Sequence, residues 1–86
     1  MAVVVLLPSL LAGEAGGRNR FELDAATIGD AVRALPVANL VLDERGELRR
    51  LVNVYVDGVD VRDRDGLATP LAGGETVRLV GAIAGG

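Results

Sequence analysis

Asp57, Asp60, Asp63 and Asp65 crowd into the stretch "DGVDVRDRDG", and carboxylates packed this closely are the raw material of a calcium loop. Setting Gly66 on that loop's glycine puts Val61 at the first ligand position and Ala72 where a bidentate glutamate belongs. The pattern fails at both ends, so these aspartates read as solvated turn carboxylates interleaved with Arg62 and Arg64. The hydroxyls on offer are Ser9, Thr27, Tyr55, Thr69 and Thr76, and the chain holds no histidine, cysteine or lysine to activate one. The same absences exclude disulfides, zinc ligation of the usual kind and any Cys–His pair, and no metal site is expected. Neither phosphate-loop pattern occurs, and the glycines of "AGG" at 15–17 precede a strand rather than a helix. A carboxylate pair could do acid–base work, but 86 residues leave little room for a pocket to tune it. No catalytic side chain of its own is expected.

One reactive group remains, at the end of "AIAGG". The α-carboxylate of Gly86 has a pKa of about 3.3–3.7, so at neutral pH it is an anion and a poor electrophile. It has to be activated, for instance as an acyl-adenylate, before a sulfur or nitrogen nucleophile attacks. With no nucleotide motif in the chain, a separate enzyme has to consume the ATP, and no cofactor is expected to stay bound. Gly85 and Gly86 remove side-chain bulk and free the backbone, and small Ala84 extends that slim profile. Five residues from Ala82 reach at most roughly 17 Å, enough to enter a partner's cleft. Taken alone, a Gly-Gly end also has a bland reading as a frayed terminus.

The elements that must carry this end are legible in outline. Val3–Leu7 is a β-branched apolar run stopped by Pro8, and it fits a central strand covered on both faces. "SLLAGEAGGRNR" supplies a turn, and "RFELD" alternates as a half-buried strand, antiparallel to the first if the connection is a hairpin. "TIGDAVRALP" is the clear helix, with Thr27 as N-cap, Asp30 as a weaker capping-box partner and Pro36 as its end. Ile28, Ala31, Val32 and Leu35 give it one apolar face for the sheet, while Gly29 weakens it by about 1 kcal/mol relative to alanine. "VANLVLDERGELRR" supports either a short helical turn or a loose hairpin around Gly46. Val52, Val54 and Val56 alternate with Asn53, Tyr55 and Asp57, and Asp57-Gly58 signals a two-residue hairpin. "DGLATPLAGGE" is a loop and "TVRLVGAI" the last strand.

The expected architecture is α+β: one helix across one face of a mixed four- to five-stranded sheet. Residues 1–81 form the domain and residues 82–86 a flexible tail. On the last strand Arg78 faces solvent, so Val77 and Leu79 point inward and Val80 shares the solvent side. The same alternation places Leu51 with Asn53 and Tyr55. If these strands are neighbours, Leu51, Val80 and Ile83 form an exposed apolar spot beside the tail. Single exposed aliphatics are ordinary, but closeness to the terminus favours a docking role.

Net charge −3, two aromatics (Phe21 and Tyr55) and no basic cluster argue against nucleic acid. The opening "MAVVVLLPSLLAG" has no charged residue ahead of its apolar run, and the run is too short to span a bilayer. A cytoplasmic protein with no membrane partner is expected.

The segment "LRRLVNVYVDGVDVRDRDGLATPLAGGETVRLVGAIAGG" resembles the C-terminal half of the ubiquitin-like sulfur carriers of the MoaD/ThiS family. This family spans molybdopterin synthase small subunits, the thiamine carrier and the actinobacterial carrier for cysteine synthesis. "VNVYVDG", "DGLATPLAGGETVRLV" and "AIAGG" carry the likeness in register, and "LAGEAGGRNRFEL" with the capped helix extends it loosely over the first half. The resemblance implies a β-grasp fold and a carrier rather than an enzyme. It implies that a ubiquitin-activating-like adenylyltransferase (MoeB/ThiF type) adenylates Gly86. A sulfurtransferase or other sulfide source then converts it to a thiocarboxylate, which donates sulfur at a downstream synthase. Gly85 and Ala84 would thread the tail, while Leu51, Val80, Ile83 and Arg78 fall near positions of partner contact. "VGAIAGG" lacks the prolines that many molybdopterin subunits carry there, which leans the likeness towards a cysteine-type or specialised biosynthetic carrier. Two other readings stay open: a non-covalent ubiquitin-like interaction or regulatory module, and conjugation to amines of other proteins.

Overall fold

The structure is a computed structural model and describes residues 2–81. Five strands form one mixed sheet: β1 (Ala2–Leu6), β2 (Arg20–Asp24), β3 (Val52–Val56), β4 (Val59–Asp60) and β5 (Thr76–Gly81), in the spatial order β2-β1-β5-β3-β4. β1 runs parallel to β5, and the remaining pairs are antiparallel. The last strand of the sequence is therefore the central strand of the sheet.

Alternation decides which face is covered. Val3 and Val5 of β1, Val52, Val54 and Val56 of β3, and Val77 and Leu79 of β5 are buried together on one face. Against them lies α2 (Ile28–Arg33), whose Ile28, Ala31 and Val32 are buried, with Leu35 just past its end. Thr27 caps this helix by accepting the Asp30 N–H at 3.2 Å. The Asp30 carboxylate bonds Arg33 instead of reaching back, so only half of a capping box forms. The helix ends at Arg33, ahead of Pro36.

Three expectations change. The opening run is covered on one face only, since Val4 and Leu6 are half-buried on the side that carries no helix. Its apolar continuity reflects a strand flanked by β2 and β5, not one sandwiched between layers. Second, "SLLAGE" is a helix, α1 (Ser9–Glu14), rather than a turn. Pro8 stands at its N-cap, Leu11 and Ala12 are buried, and Gly16 and Gly17 turn the chain back at positive φ. Third, the stretch before β3 takes both forms left open: α3 (Ala38–Val41), then a tight turn around Gly46 closed by a Leu42–Leu48 bridge. Besides α2 the fold thus holds α1, of the same six residues, and the four-residue α3, instead of one helix alone. The Asp57-Gly58 hairpin forms as expected, with φ of 48° and 88° and Val56 paired to Val59. No helix among the described residues is long and apolar enough to cross a membrane.

Candidate functional site

The central strand is the element that carries the chain towards its end. β5 holds Val77 and Leu79 in the core and presents Arg78 and Val80 on the helix-free face, as alternation requires. Its pairing with β3 is continuous: Val56↔Val77, Tyr55↔Arg78, Val54↔Leu79, Asn53↔Val80 and Val52↔Gly81. On its other side β5 pairs with β1 only through Thr76–Arg78. Gly81 is thus tied to the first residue of β3, and this junction fixes where residues 82–86 begin. Ile83, Ala84, Gly85 and Gly86 lie outside the described residues.

The expected single apolar spot divides in two. Val80 and Arg78 line a shallow hollow of about 580 Å³ on the helix-free face, with Tyr55, Asp57, Gly58 and Thr76. Leu51 instead belongs to a hollow with Leu40, Asp43, Arg49, Arg50 and Val52. The reason is local: β3 starts at Val52, so Leu51 sits in the preceding turn, where strand alternation no longer applies. A third hollow of about 410 Å³ adjoins it through Leu40 and Val52 and is lined also by Pro8, Leu10, Leu11, Glu14 and Gly81. Leu10 and Leu40 are exposed leucines that the sequence reading passed over. Leu10 sits on a helix that opens without a side-chain cap, and Leu40 on one of four residues, too short to give a periodic signal. The clue was Leu11, Ala12 and Ala15 following Pro8, a spacing that buries one side of a turn and turns Leu10 outward.

The aspartate-rich segment is structural. Asp57 accepts the Thr76 N–H at 3.0 Å, tying the β3–β4 hairpin to β5. Asp60 accepts the Arg62 N–H at 2.8 Å and caps the 3-10 turn at Val61–Asp63. No cluster of acidic residues fit to hold a metal occurs among the described residues. Of the hydroxyls, Thr69 is fully buried and accepts the Asp65 N–H, and Thr27 is the helix cap. Two carboxylates titrate low. Asp43 is held down by the Glu47 N–H, opposed by partial desolvation, with the Arg45 N–H and charge adding to the effect. Glu75 is held down by the Ala72 N–H and then the Gly73 N–H. Both act as turn anchors: Asp43 closes the loop around Gly46, and Glu75 closes the one leading into β5. Each carboxylate serves its own turn, and β5 carries the chain from the second of these turns to Gly81.

Comparison with known proteins agrees with this anatomy. The model of the ThiS family matches residues 6–86. The sulfur carrier protein CysO of Mycobacterium tuberculosis is 36% identical, with the whole of both chains covered. Its crystal structure superposes with a TM-score of 0.85 at 32% identity, over 94% of this chain and 99% of that one. The crystal structure of the Amycolatopsis orientalis BexX/CysO complex gives 0.84 at 32% identity, over 99% and 100%. SAMP1 from Haloferax volcanii gives 0.81 at 29% identity, over the whole of both chains. The five-stranded mixed sheet is that of the ubiquitin-like β-grasp proteins, and the chain belongs to the ThiS family of small carriers.

Proposed function

We propose that this chain is a sulfur carrier whose working group is the carboxylate of Gly86. The observation that carries the reading is the exit of the chain from the sheet. The central strand ends at Gly81, locked to Val52, and only "AIAGG" lies between that junction and the reactive end. A domain with no metal-fit acidic cluster among its described residues, which mounts a slim end on its central strand, fits a co-substrate presented to other enzymes.

The chemistry needs two steps. A carboxylate oxygen of Gly86 attacks the α-phosphorus of ATP in a partner of the ubiquitin-activating kind, giving the acyl-adenylate and pyrophosphate. Hydrosulfide, free or released from a sulfurtransferase persulfide by a reducing thiol that ends as a disulfide, then attacks the acyl carbon. AMP leaves and a proton is released, so the end becomes a thiocarboxylate with no change of oxidation state. The thiocarboxylate sulfur, a better nucleophile than the carboxylate it replaces, is passed to an acceptor on a downstream synthase. Cysteine or another sulfur-containing metabolite is the product class. The domain supplies position: residues 82–86 serve as the tail, and Gly85 and Gly86 let it pass a narrow channel. Val80 precedes Gly81 on the central strand with Arg78 two residues before it, and Leu51 precedes the Val52 to which Gly81 is paired.

Intact mass spectrometry tests the reading. After incubation with ATP, the activating enzyme of the source organism and a sulfide donor, the protein gains one sulfur and loses one oxygen, and omission of ATP abolishes the change. A mass that stays fixed beside an activating enzyme proven on its own carrier refutes it.

A further inference from the structure

We propose that β2 is a self-pairing edge, by which two copies of this chain join antiparallel into one continuous sheet with Phe21 on the two-fold axis. The proposal stands apart from the carrier reading, since β1 lies between β2 and the β5 strand that leads to the chain end.

Of the sheet's two edges, β4 is the two residues Val59–Asp60, whereas β2 pairs without a bulge from Arg20 to Asp24 and holds neither proline nor glycine. Shortness blunts the first edge, and nothing of that kind blunts the second. The ladder fixes which backbone groups β2 turns outward. Val4 donates its N–H to the Glu75 carbonyl at 3.0 Å, so Val3 and Val5 turn theirs towards β2. Leu7 donates to the Asn19 carbonyl at 2.8 Å in the same sense. Through the pairs Val5↔Phe21 and Val3↔Leu23, Phe21 and Leu23 bond to β1, and Arg20 and Glu22 direct their N–H and C=O away from the sheet.

Charge selects the occupant. Arg20, Glu22 and Asp24 are exposed on the helix-free face, and charges so placed usually guard an edge. Here the order of signs is self-complementary. With Phe21 opposite its own counterpart, Arg20 meets Glu22 of the second copy, and Glu22 meets the second copy's Arg20. These are outward-directed residues, so each pair exchanges both of its backbone bonds. One step further along, Asp24 falls opposite the position of Arg18, again of opposite sign. Sliding the copies by two residues sets Glu22 against Glu22 or Arg20 against Arg20, and in-register parallel pairing sets every charge against itself. Within one chain the Arg20 guanidinium already lies 2.9 Å from the Glu22 carboxylate, so the joined edge gathers these pairs into one cluster of alternating sign. Phe21 is buried, with the Arg18 guanidinium 4.3 Å from its ring centroid, so charge rather than apolar burial sets the register.

Sedimentation equilibrium of the full chain is the test. One strand pair makes a small interface, so the expected dimer has a Kd on the order of 100 μM and weakens as salt screens its charges. Arg20→Glu alone and Glu22→Arg alone each sediment as monomers, because like charges then face each other across the axis. Mixed in equal amounts, the two variants form a dimer that neither gives by itself, which also shows that both remain folded. Arg20→Glu and Glu22→Arg combined in one chain restore self-association. A parental chain that stays monomeric at about 1 mM overturns the proposal. So does a parental dimer that either single variant keeps, and so does a mixture or a double exchange that stays monomeric, since each places the contact elsewhere.

Discussion

The Arg62 guanidinium donates to the side-chain oxygen of Asn53 at 2.7 Å, and its second nitrogen donates to the carbonyls of Val52 at 2.8 Å and Arg49 at 2.9 Å. One side chain from the far side of the hairpin thereby closes the turn that precedes β3. Val52 and Asn53 are the residues paired with Gly81 and Val80, so the brace acts directly beneath the exit of the chain. A planar fork can meet these acceptors together, whereas an ammonium at the end of a flexible stem cannot hold the same geometry. Arg62→Lys is expected to lower stability by about 1 kcal/mol and Arg62→Ala by about 2 kcal/mol, read as the shift in urea midpoint. Equal midpoints for the parental protein and Arg62→Ala would show that the brace adds nothing.

Arg62 also marks a limit of reading from sequence. Among alternating aspartates and arginines it looks like one more solvated charge, because the carbonyls it serves are ten and thirteen residues away. The strands, the Thr27-capped helix and the Asp57-Gly58 hairpin were legible because each rests on local alternation, capping or turn chemistry. α1 and α3 were not: α1 is as long as α2 but has no side-chain cap to announce it, and the four residues of α3 carry too few turns for a period to show. The chain end was legible as chemistry, and the family resemblance placed it in a mechanism. The hollow that Leu10, Leu40 and Gly81 line was not, because these residues meet only through the fold. Leu51 lies one residue before β3 begins, in the turn that strand alternation does not reach.

Two glycines in helices separate propensity from packing. Gly13 in α1 has open space where a Cβ would stand, so Gly13→Ala is expected to stabilise the protein by about 0.5–1 kcal/mol. In α2 a Cβ on Gly29 would lie 3.2 Å from the Leu67 carbonyl oxygen and 3.0 Å from the Arg33 guanidinium. Arg33 can swing away, but Leu67 belongs to a 3-10 turn (Gly66–Ala68) whose neighbour Thr69 accepts the Ile28 N–H at 3.0 Å. The helix gain is spent separating these segments, and Gly29→Ala is expected to cost about 1 kcal/mol. A stabilised Gly29→Ala protein in thermal or urea unfolding would contradict this.

The acid limb of the stability curve is assigned to Asp43 and Glu75. Each carboxylate accepts two backbone N–H bonds of its own turn, and each titrates below its ordinary value of 3.8 or 4.5. A depressed folded pKa means that the unfolded chain takes up protons first. Their contribution is present in full above the ordinary values and disappears as pH falls through the lower folded ones. Asp43→Asn and Glu75→Gln keep an acceptor but lose the charge. Each variant should be less stable than the parent at pH 7, with the gap narrowing as pH falls below the ordinary values of 3.8 and 4.5, as urea midpoints across an acid pH series will show. A gap that is constant with pH would place the effect in packing instead.

Removing Gly85-Gly86 separates the carrier from a non-covalent ubiquitin-like module. The core runs from Val3 to Leu79, so the shortened chain is expected to melt with the parent. Its new end, on Ala84, carries the same ionised carboxylate but stops two residues short, roughly 7 Å of reach. A methyl-bearing residue also now stands where the channel admitted glycine. Pyrophosphate release and thiocarboxylate formation should therefore both fail. The folded domain is unchanged, so a partner that reads only the surface should still bind the shortened chain. Gly86→Ala tests the remaining ambiguity: it restores the length and changes only the bulk at the reacting carbon. A partial rate for Gly86→Ala beside none for the deletion assigns the loss chiefly to reach. No rate for either leaves the exclusion of side chains at the last position as the controlling constraint. Full cellular function in the deletion would mean that the surface, not the carboxylate, is what partners read.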